Sequence, residues 1–280
     1  MKIQNLRDRL AVCSWSLQPP DAQHLIGQLR TLGIPRVQIA LDPIRTEPAK
    51  WQGFADLCAR HGIQLVSGMF GTVGEDYSTM ESIRLTGGLV PDSTWEENSS
   101  HMPALVSLAH SLKLRLVTFH AGFIPEEERD PAFAKLIERI RLVAELFERQ
   151  GIGLAFETGQ ESAGTLLEFL EKLDRPNLGV NFDPANLILY EKGDPIEALK
   201  TLAPRLKQCH LKDAVQTSRP GTWGEEVPVG AGQVNWERFF QTLAQIDFTG
   251  YLAIEREAGN QRLQDIATAR DFVEAVAKHE

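Results

Sequence analysis

Eight short apolar runs recur along the chain, each followed by a segment with helical spacing. The runs are "LAVCSWSL" (10–17), "RVQIALD" (36–42), "IQLVSGMFG" (63–71), "RLVTFHAG" (115–122), "IGLAFETG" (152–159), "LGVNFDPAN" (178–186), "LKQCHLKDA" (206–214) and "YLAIEREAG" (251–259). Between them the apolar residues fall at helical intervals. The clearest case is "DPAFAKLIERIRLVAELFERQG" (130–151), where Asp130 can cap, Pro131 suits the first turn and Gly151 suits the end. "DAQHLIGQLRTLG" and "WQGFADLCARHG" also finish on glycine, and a final helix is expected from about Gln261 to the C-terminus. Eight strand–helix repeats predict an α/β fold, a (β/α)₈ TIM barrel forming one domain over residues 1–280. A chain of this length suits that fold as one unit. The competing arrangement is a doubly wound open sheet, but no GxGxxG opens the first helix.

Two connections exceed simple turns: 72–100, before the third helix, and 215–235, after the seventh strand. In a barrel both lie at the C-terminal rim, where long loops shape or cover a site.

Composition narrows the function. The net charge is −9 and the pI about 5.4. Such a surface repels phosphate backbones and anionic lipid, so neither nucleic acid nor a membrane surface is the expected partner. No apolar run approaches about 18 residues, and the opening "MKIQNLRDRLAVC" has no apolar core of a signal peptide. Cys13, Cys58 and Cys209 are far apart with no CxxC spacing, which fits reduced thiols and a cytoplasmic protein.

The period-two pattern of the later runs points to chemistry. Leu154 and Phe156 oppose Ala155 and Glu157; Val180 and Phe182 oppose Asn181 and Asp183; Cys209 and Leu211 oppose His210 and Lys212; Leu252 and Ile254 oppose Ala253 and Glu255. One face of each strand is bulky and apolar, suited to packing under helices. The other is small or polar and ends in an ionisable group at the barrel mouth. A single carboxylate at a strand end is most often a salt-bridge partner or a cap. Glu157, Asp183, His210 and Glu255 on four consecutive strands are a different matter. Three converging carboxylates repel unless a cation compensates them. Three oxygen ligands and one imidazole suit one divalent ion: Mn²⁺, Mg²⁺ or Co²⁺, with Zn²⁺ possible.

The motifs "FETG", "NFDPAN", "CHLKDA", "VPVGAGQVNW" and "IEREAG", in this order and spacing, resemble the xylose isomerase-like barrel superfamily of sugar (phosphate) isomerases and epimerases. The resemblance covers nearly the whole chain. It implies one ion, Mn²⁺ first, on Glu157, Asp183, His210 and Glu255, with Glu157 and Glu255 doubling as acid/base groups. It also implies a small sugar or sugar-derived substrate and a homodimer or homotetramer. Two positions depart from the keto-sugar 3-epimerases: Asn186 stands where they usually carry histidine, and Gln216 where they tend to carry arginine. That puts the 3-epimerase substrate set in doubt. Asn186, and the lack of a histidine on the third run, also argue against the trinuclear zinc site of the superfamily's DNA-repair endonucleases.

The reaction expected of such a site is removal of a proton next to a carbonyl, giving a cis-enediolate, with proton return to the opposite face or the neighbouring carbon. His120, Lys212, Asn186, Gln160 and Trp15 are the candidate substrate contacts. Lys212 would steady an enediolate oxygen or a substrate carboxylate, or else simply pair with a site carboxylate. Trp15, at the end of the first strand, would floor the pocket against a sugar's apolar face, or else pack in the core as aromatic residues more often do. Gly230 and Gly232 would let their loop approach substrate and faintly resemble a phosphate cradle, but a plain turn is the more ordinary reading of them. Two other functions fit the same residues: a metal-dependent dehydratase of a keto-cyclitol or dehydroshikimate-like substrate, and a non-catalytic sugar-binding barrel.

Overall fold

The eight apolar runs form eight parallel strands: β1 Leu10–Cys13, β2 Arg36–Ala40, β3 Gln64–Met69, β4 Leu116–Phe119, β5 Gly153–Glu157, β6 Leu178–Phe182, β7 Leu206–Leu211 and β8 Leu252–Ile254. In this computed structural model, which describes residues 6–125, 127, 129–219 and 221–276, neighbours pair in chain order. β8 returns to β1 through Leu10–Leu252 and Val12–Ile254, closing the barrel. Helices surround it, as the alternation predicts.

Several runs are longer than their strands. The first turns helical at Ser14 (Ser14–Leu17), the second at Leu41 (Leu41–Thr46) and the sixth at Pro184 (Pro184–Leu189). Pro184 has no N–H for a ladder, so the sixth run leaves the sheet there. The helix over 130–151 forms as Pro131–Glu148, with the Asp130 carboxylate accepting from the Ala132 N–H at 2.8 Å. The last helix runs Arg262–Val276; its expected continuation to the C-terminus lies outside the described residues.

The strand faces separate as the pattern requires. Outward residues such as Val12, Phe119, Phe156, Phe182 and Ile254 join the helices in the main apolar core. The Phe119 and Phe156 rings lie 4.9 Å apart, and Phe156 meets Phe169 of the following helix edge-on at 6.2 Å. The inward face holds a small cluster, Ala11, Cys13, Val66 and Ala253, beside the buried polar residues Gln38, Ser67, Thr118, Asn181 and Gln208. These satisfy one another. Gln38 donates to Thr118 Oγ1 (2.8 Å), Gln208 donates to Gln38 Oε1 (2.7 Å), and Ser67 donates to Gln208 Oε1 (2.7 Å). A polar interior is tolerable only when connected in this way.

Both long connections are at the rim, but neither is plain loop. The first contains the helix Met80–Thr86, and the helix Asp92–Ser111 begins inside it. The signal was present: Thr79 and Ser82 form a reciprocal capping box. The second opens with an antiparallel ribbon, Asp213–Val215 against Glu225–Val227.

Asp213, wholly buried, ties down the rest of the second connection. Its carboxylate accepts from the N–H groups of Gly230 (2.9 Å), Gly232 (3.2 Å) and Val234 (3.1 Å) and from the Trp236 indole (2.8 Å). The two glycines therefore serve Asp213, not substrate. A Cβ at Gly232 would meet Asp213 Oδ1 at 2.1 Å. Because several buried donors would lose a charged acceptor, Asp213→Asn should lower unfolding stability by about 2–4 kcal/mol in urea denaturation. A loss below about 0.5 kcal/mol would show that the loop is held by other contacts.

Candidate metal centre

Consecutive strands deliver the cluster at one level. Glu157 ends β5, Asp183 follows β6, His210 lies within β7 and Glu255 follows β8. Register keeps them together: Glu157 is opposite Asn181, and Ala253 is opposite His210. All four are buried, and each presents a ligand atom within 4.8 Å of the others. His210 Nδ1 is 3.4 Å from Glu157 Oε1, 3.6 Å from Asp183 Oδ2 and 3.3 Å from Glu255 Oε2.

The partners of the remaining atoms aim this set. His210 Nε2 lies 2.9 Å from Gln38 Oε1 and 3.0 Å from the Asn181 amide nitrogen; in the tautomer whose Nε2–H donates to Gln38, Nδ1 is left to face the carboxylates. Asp183 Oδ1 caps Pro184–Leu189 by accepting from the Ala185 and Asn186 N–H groups at 2.8 and 3.0 Å, while Oδ2 faces the cluster. Glu255 Oε1 accepts from the Trp15 indole at 2.6 Å. His210 Nδ1 and Asp183 Oδ2 are buried with no hydrogen-bond partner. Two orphaned donor atoms facing two further carboxylates fit one divalent ion. Among the described residues the other trio of this kind, Cys13, His210 and Glu255, shares two of these residues.

Charge compensation is already partial. Burial pushes the pKa of His210 down, yet Glu255 and Glu157 outweigh it and hold the imidazole well above its ordinary value. Burial would raise Glu255, but Lys212 and His210 hold it well below the carboxylate range. Burial likewise opposes Glu157, which His210 and His120 keep lowered. For Asp183 burial prevails over Lys212 and His210, and its carboxyl is raised.

The expected substrate contacts are placed as follows. Trp15 lies in the helical turn after β1, not on the strand, and lines the cavity above the cluster. His120 also lines it, with Nε2 at 3.8 Å from Glu157 Oε1. Asn186 lines it too, but its amide donates to Glu157 Oε1 at 3.1 Å and to the Thr158 carbonyl at 3.2 Å. Lys212 takes the salt-bridge role, at 3.0 Å from Glu255 Oε2 and 2.7 Å from Glu257 Oε2. Gln160 is buried without lining the cavity. Gln216 bonds Glu191 at 2.9 Å. The sequence reading missed Glu257, which shares the period-two face of Glu255, and the second-layer Gln38. It also missed Glu75, Tyr77 and Trp223, because long connections carry no periodic signal, and Tyr190, at the end of the helix Pro184–Leu189.

A closed parallel barrel with three carboxylates and one imidazole converging at its C-terminal mouth defines a class: α/β barrels with a buried cluster that could hold a metal ion beneath an open cavity. Residues 26–276 match the xylose isomerase-like TIM barrel family, and the chain belongs to it. It is similar to the crystal structure of a xylose isomerase domain protein from Planctomyces limnophilus: 35% identity, TM-score 0.87, covering 97% of this chain and 98% of that one. A xylose isomerase-like TIM barrel protein from Mycobacterium smegmatis, in complex with magnesium, shares the fold at 18% identity and a TM-score of 0.73, with 97% of each chain covered. Solved sugar 3-epimerases share it at 15 and 17% identity. An inosose dehydratase from Geobacillus kaustophilus is 23% identical over 239 residues, 77% of this chain and 73% of that protein. The chain spans about half the length of the first curated relatives it matches.

The carboxylates that hold His210 above its ordinary range favour a proton on its ring, and an entering ion competes with that proton. Calorimetry of Mn²⁺ binding in buffers of differing ionisation enthalpy should show about one proton released per ion near pH 7, with affinity rising with pH. Gln38→Leu should weaken binding about 10–100-fold through the lost imidazole anchor. Binding without proton release would contradict the His210 assignment.

Proposed function

We propose that this site moves a proton on a carbon next to a carbonyl of a sugar or sugar-derived polyol, as a metal-dependent isomerase or epimerase working through a cis-enediolate. The observation that carries it is the four-residue cluster with its two orphaned donor atoms at the base of a cavity of about 570 Å³. Ligand pockets commonly have such volumes. Glu157, Asp183, His210 and Glu255 would hold the ion, Mn²⁺ first with Mg²⁺, Co²⁺ or Zn²⁺ as alternatives. When bound, it supplies carbonyl polarisation and acidifies the adjacent C–H.

The chain's own groups supply the proton chemistry. Glu157 and Glu255 come from strands separated by two others, and both line the cavity. One removes the proton and the other returns it. Lys212, bonded to Glu255 Oε2 at 3.0 Å, holds that carboxylate ionised, in the form that can accept a proton. His120, Asn186 and Trp15 supply cavity-wall contacts for hydroxyls and for an apolar sugar face. Gln160 acts from behind that wall.

A second reading, a dehydratase of a keto-cyclitol, is favoured by the likeness to inosose dehydratase. It needs the same first step, and product mass separates the two, since an isomerase conserves mass and a dehydratase loses one water. Glu157→Gln or Glu255→Gln should cut solvent-deuterium incorporation into a substrate ketose at least about 100-fold while Mn²⁺ is still bound. Unchanged exchange in both variants would remove the acid/base assignment.

A further inference from the structure

The cavity above the cluster is lined by two kinds of side chain, which interleave: the Trp15 indole donates to Glu255 at 2.6 Å and the Tyr77 hydroxyl to Glu75 at 3.3 Å. One kind is aromatic: Trp15, Tyr77, Tyr190 and Trp223 line it, with the Tyr190 and Trp223 rings 4.9 Å apart and edge-to-face. The other is acidic: Asp42, Glu75, Glu157, Glu226, Glu255 and Glu257 line it. Among the described residues, only Lys212 and His120 on the wall can carry positive charge.

Lys212 is not available to an anion. Its ammonium is buried, bonded to Glu255 at 3.0 Å and Glu257 at 2.7 Å, with Glu226 Oε2 at 3.9 Å and Asp183 Oδ2 at 4.0 Å. The cations behind the wall are committed too. Arg256 bonds Glu226 at 2.8 Å and Asp265 at 2.9 Å, and Arg45 pairs with Asp42 at 3.1 Å. Glu75 receives only neutral donors: the Thr72 hydroxyl at 2.7 Å, the Gly88 N–H at 3.1 Å and the Tyr77 hydroxyl at 3.3 Å. A divalent ion in the cluster would itself face three carboxylates. The glycine loop that could have cradled a phosphate spends its N–H groups on Asp213.

We infer that the substrate of this site is an uncharged polyhydroxylated carbonyl compound, without phosphate or carboxylate, whose apolar face lies against these rings while its hydroxyls donate to the carboxylates. This rests on the proposed proton-transfer reaction for its carbonyl, but the charge selection depends only on the wall. A substrate phosphate would sit beside Glu75, which no cation offsets, and beside carboxylates whose cations are already engaged, with His120 itself 3.8 Å from Glu157. The resulting repulsion is large at short range and only partly screened. Hydroxyls, by contrast, are donors that acidic acceptors bind well. Rings of Trp and Tyr complement the C–H face of a sugar.

The test uses Mn²⁺-loaded protein and matched probes: D-fructose and D-ribulose against their terminal phosphate esters, and scyllo-inosose against 3-dehydroshikimate. Solvent-deuterium exchange is read for each. Binding of glucitol and glucitol 6-phosphate is read separately by quenching of tryptophan fluorescence. Neutral probes should exchange at least about tenfold faster than their anionic partners and glucitol should bind at least about tenfold tighter than its phosphate. Glu257→Gln, which relieves Lys212 of one carboxylate, should narrow the binding gap roughly threefold. Equal or better exchange on the phosphate esters would overturn the inference and leave the proton-transfer reading standing. If no probe exchanges but glucitol still outbinds its phosphate, the reaction is wrong and the charge selection stands. Tighter binding of the phosphate would overturn the selection whatever the exchange result.

Discussion

Three buried carboxylates around one imidazole are the constraint on which the rest of the molecule turns. Glu157, Asp183 and Glu255 converge within 4.8 Å of His210 at a place with little water. Like charges so close in a poorly screened setting cannot persist without compensation. The protein compensates in part by setting the His210 imidazole among the carboxylates and by driving the Lys212 ammonium in from one side. What remains is an unpartnered imidazole nitrogen and an unpartnered carboxylate oxygen facing each other, the electrostatic shape of a cation site.

The barrel makes this arrangement affordable to fold. Parallel strands bring residues remote in sequence to one level, and the bulky outer face carries the hydrophobic stabilisation. That frees the inner face to be small and polar. Gln38, Ser67, Thr118 and Gln208 form a connected layer under the cluster, and Gln38 reaches up to fix the His210 ring. The rim adds what the strands cannot. A ribbon and a glycine loop, anchored on Asp213, place Trp223 and Glu226 over the mouth, and the segment after β3 brings Glu75 and Tyr77.

Much of this was legible in the chain. Strict alternation in "FETG", "NFDP", "CHLKD" and "IERE" identified the inner face, because a strand offers its side chains no other choice. The four cluster residues followed from it. Trp15 was misplaced because an apolar run does not announce where a strand stops and a helical turn starts. The capping box at Thr79 and Ser82 was overlooked inside a segment read as loop. Gly230 and Gly232 were read toward substrate, because nothing local shows that a buried carboxylate from another segment takes their N–H groups. Trp223, Tyr190 and Glu75 are brought together only by tertiary packing, which no periodicity encodes.

The central claim is that Glu157, Asp183, His210 and Glu255 grip one divalent ion. The most direct measurement is anomalous diffraction at the manganese edge from crystals of the protein loaded with Mn²⁺. The account predicts a single strong peak per chain, contacting Glu157, Asp183, Glu255 and Nδ1 of His210. No peak there, with Lys212 or a protonated His210 filling the cluster instead, would contradict it.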